Sequence, residues 1–184
     1  MTVEEMITKI IKEWAPKLRV PDTLNGEAIL WAIYNCEKYT PTNPKPRFEP
    51  SYAPGGVWYE LAQAVRDEWA QYGEAAACSY SNFQIMYPTA VELGYIGPPQ
   101  TLDRDALAIA FVVRYLNIRV FAQGAKTPEE VADAYNSGTF KDSVKPESYM
   151  KSFRFYYDRA LRRIEQCLKD STNKPADSTT EPTP

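Results

Sequence analysis

The hydrophobic residues of this chain recur mostly at spacings of three and four, which is the period of an amphipathic helix. The clearest run covers residues 3–14 and is opened by Thr2 and Glu5 in the arrangement of a capping box. Pro16 follows, and proline in a helix interior removes a hydrogen bond and clashes with the preceding turn. The pattern therefore predicts an N-terminal helix that ends before Pro16.

Seven further segments have helical spacing or a signal that opens a helix. They are a second helix capped by Asn25, a third from Trp58 to about Tyr72, short helices over 82–87 and 88–94, a long helix from Asp103 to Gln123 ended by Gly124, a helix opened by the Thr127-Pro128-Glu129-Glu130 capping box, and a last helix from about Pro146 to Asp170. Residues 40–56 contain five prolines and two glycines, which predicts an irregular connection without helix or strand.

These elements predict an all-α, predominantly helical fold with a Pro-rich connection. At 184 residues the chain suits one domain with a substantial core, and we place this domain at 1–170. Residues 171–184 are rich in Ser, Thr, Pro and charge and have no apolar period, so we expect a disordered tail there. Deleting this tail is expected to leave stability and activity nearly unchanged.

Composition narrows the possible functions. A net charge of −3 gives no basic stripe for nucleic acid, and the longest apolar stretches are far too short to span a membrane. The three cysteines, at 36, 78 and 167, have the spacing of neither a disulfide framework nor a metal site, and buried thiols are expected. The chain has no His, so any catalysis must use carboxylates, Tyr, Lys or a thiol, and we expect no metal or organic cofactor.

One carboxylate occupies an unusual position. Glu37 follows Ile29 and Ile33 at i+8 and i+4 on the apolar face of the second predicted helix. Burial disfavours the charged form of a carboxyl and raises its pKa, which makes it a usable proton donor near neutrality. The alternative is that Glu37, at the end of its helix, reaches water or pairs with Lys38 or Arg47.

Three segments in order resemble the lytic transglycosylase and goose-type lysozyme family. They are ILWAIYNCE, SYSNFQIMYPTAVELG and VADAYNSGTF, and the resemblance spans about 30–150. It implies a lysozyme-like domain in which Glu37 is the catalytic acid. The sequence departs from the family pattern at Lys38, where the family has Ser, and at Ser81-Asn82-Phe83, where it has Gly-Leu-Met. Glycine tolerates close backbone approach best, so the side chain of Ser81 is a significant departure.

The resemblance also implies a set of sugar-binding residues. Gln84 takes the place of the family's Gln, Tyr135 and Asn136 belong to the third motif, and Tyr149 is similar to a tyrosine that often follows it. Amides both donate and accept hydrogen bonds, as sugar hydroxyls and acetamides require, although Asn136 also suits a turn. The full set of expected substrate contacts is Ser79, Tyr80, Phe83, Gln84, Tyr135, Asn136 and Tyr149. Core packing is the alternative for Tyr80, Phe83 and Tyr135.

The function implied is cleavage of the β-1,4 bond between N-acetylmuramic acid and N-acetylglucosamine in peptidoglycan. The first mechanism is lytic transglycosylation with Glu37 alone; the second is hydrolysis by a muramidase in which Glu49, Glu60 or Glu74 positions a water. The FEPSY stretch, which contains Glu49, is similar to an element of some phage-type muramidases. A third possibility is an inactive glycan-binding or structural module.

The sequence leaves the oligomeric state open. The N-terminus MTVEEMITKI is acidic and amphipathic and unlike a signal peptide. With a cell-wall substrate, this favours a phage or prophage product that is released by lysis or delivered in a particle, or one that is secreted by another route.

Overall fold

The computed structural model describes residues 1–42, 45–138 and 147–172 and is predominantly helical, as the sequence predicts. The α-helices of the described residues are α1 (Val3–Trp14), α2 (Gly26–Glu37), α3 (Val57–Leu61), α4 (Gln63–Tyr72), α5 (Tyr87–Glu92), α6 (Asp105–Tyr115), α7 (Pro128–Ser137) and α8 (Glu147–Thr172). The expected tail lies outside the described residues from 173 onward, as do Pro146, the expected start of the last helix, and Thr139 and Phe140 of the third motif.

Three helices begin at the caps that the sequence indicates. The capping boxes of α1 and α7 are complete: Thr2 and Thr127 each accept from the backbone three residues on, and Glu5 and Glu130 accept in return from the cap backbone. Asn25 accepts from the backbone of the third residue of α2. These local hydrogen bonds satisfy donors that the first turn of a helix leaves free.

A small antiparallel sheet corrects two predictions. Its strands are β1 (Arg47–Phe48), β2 (Cys78–Tyr80) and β3 (Ile85–Met86), in the order β1-β2-β3. Arg47 pairs with Ser79, and Ser79 pairs with Met86. The connection 40–56 is therefore not free of regular structure, since it contains β1 and a 3-10 turn at Pro50–Tyr52.

The helix predicted over 82–87 is wrong, because 82–84 lie in the turn of the β2–β3 hairpin, 85–86 form its second strand, and α5 begins only at Tyr87. Ser81 and Gln84 have positive φ angles of 65° and 50°, a conformation that breaks a helix. The Ser81 hydroxyl accepts from the Phe83 backbone at 3.1 Å, and the Gln84 backbone donates to the Ser81 carbonyl at 3.2 Å. Side-chain hydrogen bonds thus stabilise a turn that lacks glycine.

The helix predicted from Trp58 to Tyr72 is two helices, α3 and α4, separated at Ala62. Ala62 has an extended backbone with φ −117° and ψ 114°. The Arg66 guanidinium donates to the carbonyls of Tyr59 and Glu60, both at 2.9 Å. It thereby satisfies two acceptors that the end of α3 leaves exposed.

The ends of the two longest predicted helices also differ from expectation. After α6 the chain continues through a π-helical segment at Leu116–Val120 and a 3-10 turn to Gly124, whose φ of 95° ends the run as predicted. Helix α8 extends to Thr172, two residues beyond its expected end at Asp170, and so includes Ser171 and Thr172 of the expected tail. Its last turn carries side-chain to backbone hydrogen bonds from both of these residues.

Helix α2 forms the centre of the core and packs extensively against α8, while α1 packs against α6 and α7 against α8. Ile29, Leu30 and Ile33 of α2 are fully buried, as is Phe153 of α8. No helix within the described ranges has both the length and the apolar character needed to cross a membrane. The end of α2 is therefore held firmly inside the protein, and Glu37 lies at that end.

Candidate active site

A cleft of about 470 Å³ opens beside the end of α2. Its walls come from the connection after α2, from the β3–α5 region and from the C-terminal ends of α6 and α7. The lining residues are Glu37, Arg47, Glu49, Ser51, Tyr52, Trp58, Gln84, Ile85, Met86, Thr89, Tyr115, Tyr135, Asn136, Ser137 and Gly138. All three segments of the family resemblance thus contribute to one cavity.

Glu37 is only 6% exposed although it lines this cleft. The Tyr149 hydroxyl donates to Glu37 Oε1 at 2.6 Å, and Arg47 Nη1 lies 4.0 Å from Glu37 Oε2. The expectation that Glu37 lies on the packed face of its helix is confirmed. One part of the alternative is also present, since Arg47 is its ionic neighbour.

Burial raises the pKa of the Glu37 carboxyl above its usual range. The hydrogen bond from Tyr149 and the Arg47 guanidinium act in the opposite direction, and the carboxylate of Glu49 raises the pKa further. Burial and the charge of Glu37 hold the pKa of Tyr149 well above its usual value, so its hydroxyl keeps its proton and remains a donor. A carboxyl in this setting stays protonated at a higher pH than an exposed glutamate.

Of the three possible second acids, the cleft contains Glu49. Arg47 Nε donates to Glu49 Oε1 at 2.7 Å, so the guanidinium lies beside both Glu37 and Glu49. Glu60 is exposed on α3, where it accepts from the Gly55 backbone at 3.3 Å, and Glu74 is exposed in the 3-10 turn after α4. Neither Glu60 nor Glu74 lines the cleft, so neither is placed to position a water there.

Gln84 lines the cleft but also has a structural role that its sequence context did not indicate. Its amide nitrogen donates to the Ser81 carbonyl at 2.9 Å, and its amide oxygen accepts from the Ser79 hydroxyl at 2.7 Å. Gln84 was expected only as a sugar contact, and its role in the turn was not predicted from the sequence. Ser79 itself is fully buried and does not line the cleft.

The aromatic candidates divide between core and cleft. Tyr80 and Phe83 are buried in the core cluster and do not line the cleft, so they present no ring face to a ligand. Tyr135 lines the cleft, and its hydroxyl donates to the Phe83 carbonyl at 2.6 Å. Asn136 is exposed in the last turn of α7 and lines the cleft. Tyr149 contacts Glu37 and is not among the lining residues.

Several lining residues were not predicted from the sequence. Tyr52, Trp58 and Tyr115 are the aromatic ones, and Arg47 was considered only as a partner for Glu37. Tyr52 and Trp58 could have been found from the sequence, because they lie within or just after the Pro-rich connection and connections commonly carry binding residues.

Among the residues that the structure describes, no group of three or more Cys, Asp or Glu side chains is arranged to hold a metal ion. Comparison of the chain with family models, curated proteins and solved structures finds no match. Any function assigned to the cleft must therefore be argued from the geometry of its residues.

Proposed function

We propose that the protein is a lysozyme-like enzyme that cleaves the β-1,4 bond between N-acetylmuramic acid and N-acetylglucosamine in peptidoglycan, by lytic transglycosylation with Glu37 as the acid. The observation that carries this proposal is a buried carboxyl at the base of an open polar cleft, held by Tyr149 at 2.6 Å. Peptidoglycan glycan strands are the proposed partner, and the order of the three motifs along the chain is the further support.

The geometry suits Glu37 to proton donation. Glu37 Oε1 accepts from Tyr149, and Oε2 is the oxygen nearer to Arg47. In its neutral form the carboxyl carries one proton that it can donate. Glu37 and Arg47 both line the cleft, so the carboxyl borders the space where a glycosidic oxygen would bind. Transfer of this proton to the leaving oxygen accompanies cleavage of the C1–O bond and leaves an oxocarbenium-like centre on the muramic acid ring.

The second half of the proposed reaction uses the same carboxyl. The Glu37 carboxylate, stabilised by Tyr149 and Arg47, accepts the proton of the muramic acid C6 hydroxyl as O6 bonds to C1. A 1,6-anhydro ring closes without water, and Glu37 returns to its protonated form. One carboxylate therefore serves both steps, which fits a chain without histidine.

A hydrolytic muramidase is the second candidate because Glu49 lines the same cleft as Glu37. In that mechanism Glu49 is the base that activates a water on the other face of the sugar ring. The hydrogen bond from Arg47 Nε at 2.7 Å holds the Glu49 carboxyl in position.

Mass analysis of the products from purified peptidoglycan tests the proposal. Lytic transglycosylation yields anhydro ends, which are lighter by one water molecule than the reducing ends from hydrolysis. Reducing ends that disappear in Glu49→Gln but persist in Glu60→Gln would establish the hydrolytic mechanism instead. Intact glycan strands after incubation would overturn both and leave a binding module as the function.

A further inference from the structure

An aromatic pair lies on the outer wall of the cleft. Trp58, in the first turn of α3, is 49% exposed and still lines the cavity. Its ring stacks on that of Tyr52, with 6.3 Å between centroids and 24° between planes. A half-exposed Trp is a large apolar surface in contact with water, and within a cleft such a surface is available to a ligand.

Backbone packing fixes the position of this pair. Gly56 precedes α3, and a Cβ there would overlap the Pro50 carbonyl oxygen and lie 2.6 Å from the Ser51 backbone. The absence of a side chain at Gly56 therefore lets the chain fold back on itself and brings Trp58 against Tyr52. The Gly56 backbone also donates to the Ala53 carbonyl at 2.8 Å, which closes the turn.

Tyr52 and Thr89 of α5 both line the cleft. The connection and the helix that follows β3 therefore border the same cavity. Tyr52 is half-buried, and its ring supports Trp58 at a position that the turn at Gly56 fixes.

We infer that Trp58, supported by Tyr52, forms a subsite that stacks on one β-linked pyranose ring of the glycan substrate. The inference rests on the proposed function and extends it by naming the recognition surface. A β-linked pyranose exposes polarised C–H bonds on a flat face and hydroxyls at its edge. The C–H face suits the negative face of an aromatic ring, and the hydroxyls suit polar residues such as Ser51 and Glu49, which line the same cleft.

The test measures co-sedimentation with purified cell-wall sacculi over a range of sacculus concentrations. Glu37→Gln is the parent for all variants, so that binding is measured without turnover. Trp58→Ala is expected to bind about tenfold more weakly, equivalent to about 1.4 kcal/mol. Trp58→Leu, which keeps apolar bulk but not a flat ring, is expected to lose a similar factor. Trp58→Phe is expected to stay within about threefold of the parent, because it retains an aromatic face.

Phe155→Ala is the matched control, because Phe155 is 55% exposed on α8 and does not line the cleft. It is expected to bind as the parent does. Equal binding by the parent, Trp58→Ala and Trp58→Leu would overturn the stacking inference alone. A parent that does not bind sacculi would overturn the glycan substrate itself, and with it both the inference and the proposed function. Melting temperatures of all variants exclude loss of binding through unfolding.

Discussion

The two sides of the cleft are built by different means. On one side the buried Glu37, at the end of α2, accepts a hydrogen bond from the half-buried Tyr149 of α8, 112 positions away in the chain. On the other side Arg47, Tyr52 and Trp58 come from one short stretch whose backbone hydrogen bonds are mostly to near neighbours. The first side depends on core packing, and the second depends on turns.

The contrast reflects what each group must do. A proton donor needs a raised pKa and hence removal from water, which only the interior provides. A surface that recognises a large polymer must remain exposed, and exposed residues are most easily held on connections that a rigid scaffold supports. Substitutions on the two sides should therefore have different consequences: loss of chemistry on the buried side, and loss of affinity or local order on the exposed one.

The largest expected effect is on the buried side. Glu37→Gln should lower the rate of peptidoglycan cleavage by roughly 10²- to 10⁴-fold, because the amide is nearly isosteric but is not a proton donor of the required acidity. Release of soluble products from purified walls measures it. Glu60→Gln and Glu74→Gln remove exposed carboxylates outside the cleft and serve as controls. Clearing of walls by Glu37→Gln at the wild-type rate would remove this residue from the proposed chemistry.

The next effect concerns the backbone of the exposed side. Gly56→Ala should destabilise the fold by about 1–3 kcal/mol, because its Cβ would overlap the Pro50 carbonyl and displace the connection. Urea unfolding measures the change. Gly55→Ala is the control, since Gly55 has a φ of 84° but nothing within 4 Å of an added Cβ. Any loss of stability in Gly55→Ala therefore comes from backbone conformation alone. If the two variants were equally stable and bound sacculi equally well, the close approach at Gly56 would not support the wall.

The pH dependence of stability probes the buried side independently of catalysis. Folding raises the pKa of Glu37. Its contribution to the stability of the fold is therefore fully present below the pKa of the unfolded state and is lost as pH rises through the pKa of the folded state. The free energy of unfolding of Glu37→Gln should equal that of the wild type near pH 4. As pH increases, the wild type loses stability at this site and the variant does not, so the variant becomes the more stable of the two. Above the folded pKa, the difference in free energy of unfolding between the variant and the wild type is about 1.4 kcal/mol for each unit by which the pKa is raised.

Urea unfolding at several pH values from 4 to 8 checks this expectation. Glu74→Gln, which removes one exposed carboxylate, accounts for the change in net charge. A stability difference between wild type and Glu37→Gln that stayed constant over this range would mean that Glu37 is not desolvated.

The smallest effect lies where the two sides meet, at the hairpin. Gln84→Ala should lower stability by about 1 kcal/mol, because it removes hydrogen bonds to Ser79 and the Ser81 carbonyl in a buried setting. Gln100→Ala, which removes an exposed amide, is the control and should change stability by less than about 0.5 kcal/mol. Unchanged stability with weaker sacculus binding would assign Gln84 to the ligand instead of the turn.

Local signals explain why much of the helical framework was predictable. The capping residues Thr2, Asn25 and Thr127 each accept from a backbone N–H three positions away, so their effect is visible in sequence. The position of Glu37 followed from the helical period, because a residue four positions after Ile33 shares its face.

The hairpin and the exposed wall were not predictable in the same way. Each short strand offers too few residues for an alternating pattern, and the turn uses Ser81 and Gln84 at positive φ where glycine would have marked it. Tyr80 and Phe83 were expected near the ligand, but the hairpin places them in the core. The approach of Arg47 to Glu37 depends on tertiary folding, in which β1 pairs with β2, and the contact of Trp58 with Tyr52 depends on the turn at Gly56. Residue spacing encodes neither.

The hydrogen bond between Tyr149 and Glu37 has a consequence for the order of events during synthesis. Helix α2 leaves the ribosome long before α8, and until α8 docks on it the carboxyl of Glu37 remains hydrated and lacks its phenolic partner. A nascent or truncated chain that ends before Tyr149 therefore holds the acid in an ordinary aqueous setting, with an ordinary affinity for its proton. Docking of the last helix is what removes the acid from water, so the proposed activity requires synthesis to proceed through α8.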